Sequence, residues 1–320
     1  MAALFLWLAM LSLMAIALFG CGDEPDTSAP QRQIIERTAG WEGALLYISD
    51  QNGPNPALGS VRIYDNISGF VEKTVDQTVA GAPADMFVTP DGGTMYVAGS
   101  DNGRVDKFRW DGNNWIRGGV TIDTPARSIT AMAPAPDGSL YITANNGDSA
   151  GAIYRLNTDI DLVDDQQLTV SQIAELQGIA WSPDGKTVYM SGIGQDRLPR
   201  LFAASWPSLE ITGSTDLTGA SRISQSVVSM DGSLIYVMAE GHIYIVNPAA
   251  SMVTGMLTPA EDLRTGYSDG ALSADGGYLF ATGNLAGEQA SLYILDLRLN
   301  SLVKSVGHVA DKARGVQRAE

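Results

Sequence analysis

A chain of 320 residues with 45% hydrophobic and 18% charged side chains has the composition of a folded protein, which excludes disorder over most of its length. A formal net charge of -16 sets up a repulsive field for polyanions and excludes general nucleic-acid binding through phosphate neutralisation. Cys21 is the only cysteine, so no disulfide forms within the chain, and His242 and His308 are too few to build a histidine-rich metal site.

The first element is an apolar stretch, Ala2 to Phe19, interrupted only by Ser12 and ending at Leu18-Phe19-Gly20-Cys21. It is long enough to enter a bilayer. The ending resembles the lipobox of bacterial lipoproteins, in which a small residue precedes a cysteine that is acylated and becomes the new N-terminus. Leu18, Gly20 and Cys21 fit that pattern, Phe19 is bulkier than is usual there, and no Lys or Arg precedes the apolar core. The resemblance implies a signal peptide over 1–20, lipid on Cys21 and a domain held at a bacterial membrane, facing the periplasm or the cell exterior. The alternative for the same stretch is an uncleaved signal anchor. Residues 21–41 open on Gly22-Asp23-Glu24-Pro25-Asp26-Thr27-Ser28-Ala29-Pro30, the composition of a flexible tether.

From residue 42 onward the chain repeats. Asp-Gly pairs recur at Asp91, Asp137, Asp184, Asp231 and Asp275, each followed four or five residues later by an aromatic: Tyr96, Tyr141, Tyr189, Tyr236 and Phe280. One period upstream, Glu42-Gly43 stands in register with Tyr47, which makes six copies. Asp-Gly between two β-patterned runs predicts a hairpin, with a tight primed turn as the expected geometry.

A third run follows in each copy: Ser60 to Tyr64, Arg104 to Trp110, Ala152 to Leu156, Arg200 to Ala204, His242 to Val246 and Ser291 to Leu295. A fourth, more polar run, such as Trp115 to Ile122, leads to the next copy. Four short antiparallel strands in about 46 residues predict a propeller blade. The expected fold is therefore all-β, a six-bladed β-propeller over residues 42–320.

The first copy lacks the strand that precedes Asp-Gly elsewhere, as in Gln177-Gly178-Ile179-Ala180-Trp181-Ser182-Pro183, and Arg314-Gly315-Val316-Gln317-Arg318-Ala319-Glu320 supplies it. The C-terminal strand is expected to pair with Leu45 to Ser49 in the first blade and to close the ring, removing open sheet edges.

Ser182-Pro183-Asp184-Gly185-Lys186-Thr187-Val188-Tyr189 and Thr89-Pro90-Asp91-Gly92-Gly93-Thr94-Met95-Tyr96-Val97 resemble the YVTN-type and lactonase-like propeller repeats, over residues 42 to 320. Members of that group are commonly seven-bladed, whereas this chain counts to six. The motif specifies architecture and is almost silent about chemistry.

Function is expected on the face opposite the Asp-Gly turns, where loops joining second and third strands are long and polar. Arg127, Arg222, Arg264 and Arg314 recur there near the innermost strands. They either converge on the channel mouth, where they would hold a carboxylate or phosphate, or pair with Asp85, Glu175, Asp262 and Asp269 and tie blades together. Pairing is the expectation.

Asp101-Asn102, Asn145-Asn146, Asp148 and Asp196 carry oxygen donors suited to calcium but lack calcium-loop spacing, so turn formation is their expected role and no cofactor is evident. No nucleophile elbow, phosphate loop or dinucleotide fingerprint is present. The first functional expectation is a lipid-anchored, non-catalytic module that engages an envelope protein, a glycan or a small anion. The alternative, implied by the resemblance, is a lactonase-like hydrolase with Asp85, Glu175 or Asp269 as base and an arginine stabilising the oxyanion.

Overall fold

A computed structural model describes residues 41–318, apart from 43, 56–57, 68, 76–81, 147–150, 165–166, 261–263 and 286–287. The expected signal segment, Cys21 and the tether lie outside the described residues, as do Asp148 and Asp262. Among the described residues all regular structure is β, and no helix is long and apolar enough to cross a membrane.

Blade 1 contains β1 (Leu45–Asn55), β2 (Leu58–Asp65) and β3 (Phe70–Val75). Blade 2 contains β4 (Pro83–Val88), β5 (Thr94–Gly99), β6 (Arg104–Trp110) and β7 (Trp115–Asp123). Blade 3 has β8 (Ile129–Pro134), β9 (Leu140–Asn145) and β10 (Gly151–Asn157), and its outer strand is broken into β11 (Leu162–Val163) and β12 (Leu168–Val170), both paired with β10. Blade 4 holds β13 (Ile173–Trp181), β14 (Thr187–Gly194), β15 (Pro199–Ser205) and β16 (Ile211–Asp216). Blade 5 holds β17 (Ile223–Val228), β18 (Ile235–Ala239), β19 (Ile243–Asn247) and β20 (Met252–Leu257). Blade 6 holds β21 (Gly266–Leu272), β22 (Tyr278–Asn284), β23 (Ala290–Asp296) and β24 (Ser301–Ala310), and the chain ends on β25 (Ala313–Arg318).

The expected closure forms. β25 lies antiparallel to β1, with Leu46 opposite Arg318, Tyr47 opposite Gln317 and Ile48 opposite Val316, so the first blade reads β25-β1-β2-β3. Buried Asp50 reinforces the seam by accepting the backbone N–H groups of Asp311 and Lys312 and pairing with Arg62 at 2.7 Å. The Gln317 side chain donates to the carbonyl of Val88 and accepts its N–H, joining the closing strand to blade 2.

The aromatics in blade register are core, as their spacing predicts: Tyr47, Tyr96, Tyr141, Tyr189, Tyr236 and Phe280 are all buried. The core is divided among the blade interfaces. Blades 1 and 2 pack Tyr47 and Val61 against Met86 and Phe108, for example, and blades 4 and 5 pack Tyr189 and Leu201 against Ile223 and Tyr244. Burying one sheet face on the next is what makes a blade stable only within the ring.

The hairpins differ from the expected primed turn. Gly185 N–H donates to the Ser182 carbonyl and Ser182 N–H to the Thr187 carbonyl, so Asp184-Gly185 occupies the last two places of a four-residue turn. Gly92, Gly138, Gly185, Gly232 and Gly276 take positive φ, from 64° to 82°, and none of the preceding aspartates does. In three of the five turns Pro90, Pro136 and Pro183 explain this, because a fixed φ near -65° suits the first corner of an ordinary turn and forbids a primed one, and Met230 and Ala274 take the same corner in the other two. The aspartate instead binds the turn: Asp184 accepts from Ser182 Oγ and Lys186 N–H, and Asp231 and Asp275 do the same in their blades.

Candidate functional site

Each innermost strand runs from the loop face toward the Asp-Gly face, so position before the Asp-Gly pair measures depth in the central channel. Six residues before the pair, the blades contribute Asp85, Ala131, Gly178, Gln225 and Asp269, and Gly315 is the equivalent in the closing strand. This polar layer divides the channel. Asp85 Oδ2 accepts Gln225 Nε2 at 2.8 Å, a bond from blade 2 to blade 5. The small members leave room for the large ones, since a Cβ at Gly315 would stand 2.7 Å from Asp85 Oδ1 and one at Gly178 2.7 Å from Gln225 Oε1.

Above the layer lies the mouth, a cavity of about 500 Å³ built by blades 4, 5, 6 and 1. Arg222, Arg264, Lys312 and Arg314 line it together with Glu175 and Glu240. Three of the four arginines therefore converge. Arg127 does not line the mouth, and its backbone N–H is taken by Asn146 Oδ1 on the loop face. Lys312 joins the three arginines. It stands nine residues before the Asp-Gly position, as Arg222 and Glu175 do in their blades, and that shared offset is the signal by which the sequence could have revealed it.

For Arg222 and Arg314 the expected pairing with carboxylates does not form: among the described residues none lies within 4 Å of either guanidinium. Asp85 and Asp269 sit below the mouth, where backbone N–H groups hold them, and Glu175 pairs with Arg197 at 3.4 Å. Glu240 accepts the hydroxyl of Ser221 at 2.6 Å. The basic side chains instead act on one another. Desolvation by the surrounding walls, and then the charge of Arg222, push Arg314 below the usual arginine range. Lys312 is lowered by desolvation and then by Arg314. Arg314 is exposed to the water of the mouth yet has protein on most sides, so its charge is less screened than on a convex surface.

Within the layer, Asp85 and Asp269 are buried. Burial is the main reason that both carboxyls are raised above the ordinary aspartate range, and the charge of Asp85 raises Asp269 further. Backbone N–H groups only partly offset this: Met86 and Met132 donate to Asp85, and Gly270 and Val316 to Asp269.

Among the described residues no group of three or more His, Cys, Asp or Glu could hold a metal ion. The residues weighed for calcium serve the loops. Asn145 bonds both the N–H and the carbonyl of Leu176, Asn102 caps Arg104 N–H, and Asp196 pairs with Arg200 at 2.7 Å.

No family model and no curated protein matches this sequence. Solved structures match its fold. A putative 6-phosphogluconolactonase from Bacteroides uniformis is 15% identical, with a TM-score of 0.59 over 83% of each chain. A periplasmic gluconolactonase from Pseudomonas aeruginosa is 18% identical, with a TM-score of 0.60 over 82% of each chain. A chain of a nidogen/laminin complex is 13% identical, with a TM-score of 0.64 over 87% of this chain and 99% of that one. At such identities the likeness carries architecture alone. The class so defined is a six-bladed β-propeller with lactonase-like neighbours and a cationic channel mouth, in a chain whose overall charge is acidic.

Proposed function

We propose that this protein is a cell-envelope propeller, held at a membrane through Cys21, that binds a small carboxylate- or phosphate-bearing ligand at the mouth lined by Arg222, Arg264, Lys312 and Arg314. The carrying observation is that Arg222 and Arg314 line one concave site, near enough for the charge of Arg222 to act on Arg314, with no carboxylate within ion-pair distance among the described residues. Cations held close in a partly desolvated mouth cost free energy that a bound anion recovers, and guanidinium forks match carboxylate and phosphate oxygens. The net charge of the whole chain, -16, repels anions from the rest of the surface, so recognition is confined to this mouth.

A second reading, hydrolysis of a lactone, draws support from two carboxylates in the same mouth and from the lactonase names among the structural neighbours. Of the three carboxylates that the sequence offers as a base, only Glu175 lines the mouth, and Glu240 joins it. Asp85 and Asp269 lie in the polar layer and do not line the mouth with the arginines.

Isothermal titration with inorganic phosphate and small carboxylates tests the first reading. Arg222→Ala and Arg314→Ala each remove a charge-assisted contact worth about 1.5–3 kcal/mol, so binding weakens roughly 10- to 100-fold, while Arg127→Ala leaves it unchanged. Equal effects at all three positions would contradict the site. Turnover on a lactone panel, lost in Glu175→Gln or Glu240→Gln with anion binding retained, would establish the second reading instead.

A further inference from the structure

The channel has a second cavity that the proposed anion site does not use. It lies on the Asp-Gly side of the polar layer and has a volume of about 290 Å³. Two residues beyond the layer, the strands contribute Phe87, Ala133, Ala180, Val227 and Ala271, each with part of its surface open. They form an apolar collar around the chamber, completed in the closing strand by Gln317, whose side-chain amide is held by the Val88 backbone. Its inner end is the carboxyl pair Asp85 and Asp269, together with Gln225.

The pair is short of donors and of positive charge. Asp85 Oδ1 accepts Met86 N–H, and its Oδ2 accepts both Met132 N–H and Gln225 Nε2. Asp269 Oδ1 accepts Gly270 N–H, and its Oδ2 accepts Val316 N–H. A carboxylate oxygen offers two lone pairs, so one acceptor position remains on Asp85 and two on Asp269. Among the described residues no Lys, Arg or His lies within ion-pair distance of either carboxylate. Ser226 also lines the chamber, is 7% exposed, and its Oγ has no hydrogen-bond partner.

We propose that this chamber is a binding site for a primary alkylammonium group, with its three N–H donors on the free acceptor positions of Asp85 and Asp269 and its methylene stem against the collar. An ammonium supplies three donors and one positive charge, the two quantities that the buried pair lacks. A neutral alcohol supplies one donor and no charge, and a carboxylate would be repelled. At roughly 30 Å³ for each water-sized group the chamber holds about ten, which fits a short aliphatic amine or the end of a lysine side chain. The opening lies on the face opposite the anion mouth, so the two sites bind independently.

The test is calorimetric titration of the full chain with n-hexylamine, n-hexanol, hexanoate and Nα-acetyl-lysine methylamide at neutral pH. Hexylamine is expected to bind, hexanol and hexanoate at least tenfold more weakly or not at all. Binding of the lysine derivative with comparable affinity would identify a peptide lysine as the source, and its failure beside hexylamine a free amine. Ala133→Phe narrows the collar without touching a carboxylate and should weaken hexylamine binding at least tenfold, whereas Arg222→Ala at the mouth should leave it unchanged. Equal binding of hexylamine and hexanol, retention of affinity in Ala133→Phe, or no heat with either amine would overturn the proposal. None of these results bears on anion binding at the mouth.

Discussion

At the scale of single residues, the channel shows how identical backbone positions acquire different chemistry. Asp85 and Asp269 occupy equivalent places, and each accepts an N–H from the innermost strand of the following blade, Met132 and Val316 respectively. Because both carboxyls titrate above their unfolded value, near 3.9, the folded form holds protons that the unfolded chain has released. Their contribution to stability is therefore undiminished at acid pH and is lost as pH rises from about 4 through the raised native values. Asp269→Asn removes one of the two charges but keeps only one acceptor for Gly270 and Val316, at a cost of about 1–2 kcal/mol at low pH. Urea unfolding of this variant should show a shallower fall in stability between pH 5 and pH 8 than the parent, and an unchanged slope would contradict the assignment.

The arginines were legible in the sequence as recurring residues of the blade connections, but their partners were not. Whether Arg222 meets Glu175 or Arg314 depends on the fold of four separate strands, which spacing along the chain does not determine. Lys312 is legible only through the nine-residue offset from the Asp-Gly position that it shares with Arg222 and Glu175.

At the scale of elements, hairpins and strand limits were the most readable features. The repeated aromatic after Asp-Gly marks the second strand, and the third runs predicted at Arg104 to Trp110 and Arg200 to Ala204 fall within β6 and β15. What spacing did not convey was turn type, because Pro90 and Pro183 act on the corner before the Asp-Gly pair, and the break of the outer strand of blade 3 into β11 and β12. The closing strand provides a direct test of element energetics. Asp50 is buried, holds the turn into β25 through two N–H groups and neutralises Arg62. Removing it leaves both N–H groups short of an acceptor and Arg62 with Asp311 alone, so Asp50→Ala should lower unfolding free energy by about 3 kcal/mol, measured in urea. A change below about 1 kcal/mol would mean that the seam is held by β1–β25 pairing alone.

At the scale of the whole molecule, the ring converts weak local order into a stable channel, because each core cluster lies between blades and exists only when both are present. A chain truncated after Lys312 loses β25, leaves β1 as an open edge and uncovers Leu46, Ile48 and Phe280, which share a core cluster with Ala313 and Val316. Such a chain should lose its single cooperative transition and aggregate, while retention of a sharp melt near the parental temperature would contradict ring closure as the source of cooperativity.

The repeat made six blades, four strands each, and closure at the C-terminus readable from residues alone. Chemistry was less readable, because the mouth gathers single side chains from blades 4, 5, 6 and 1 with no motif in any one of them. The central claim, that Arg222 and Arg314 hold an anion, is tested most directly by protein crystals grown in selenate and examined for the anomalous signal of selenium. A peak within hydrogen-bond reach of both guanidinium groups, absent from Arg222→Ala crystals, is the predicted result. An empty mouth with Arg222 and Arg314 turned onto Glu175 and Glu240 would contradict it.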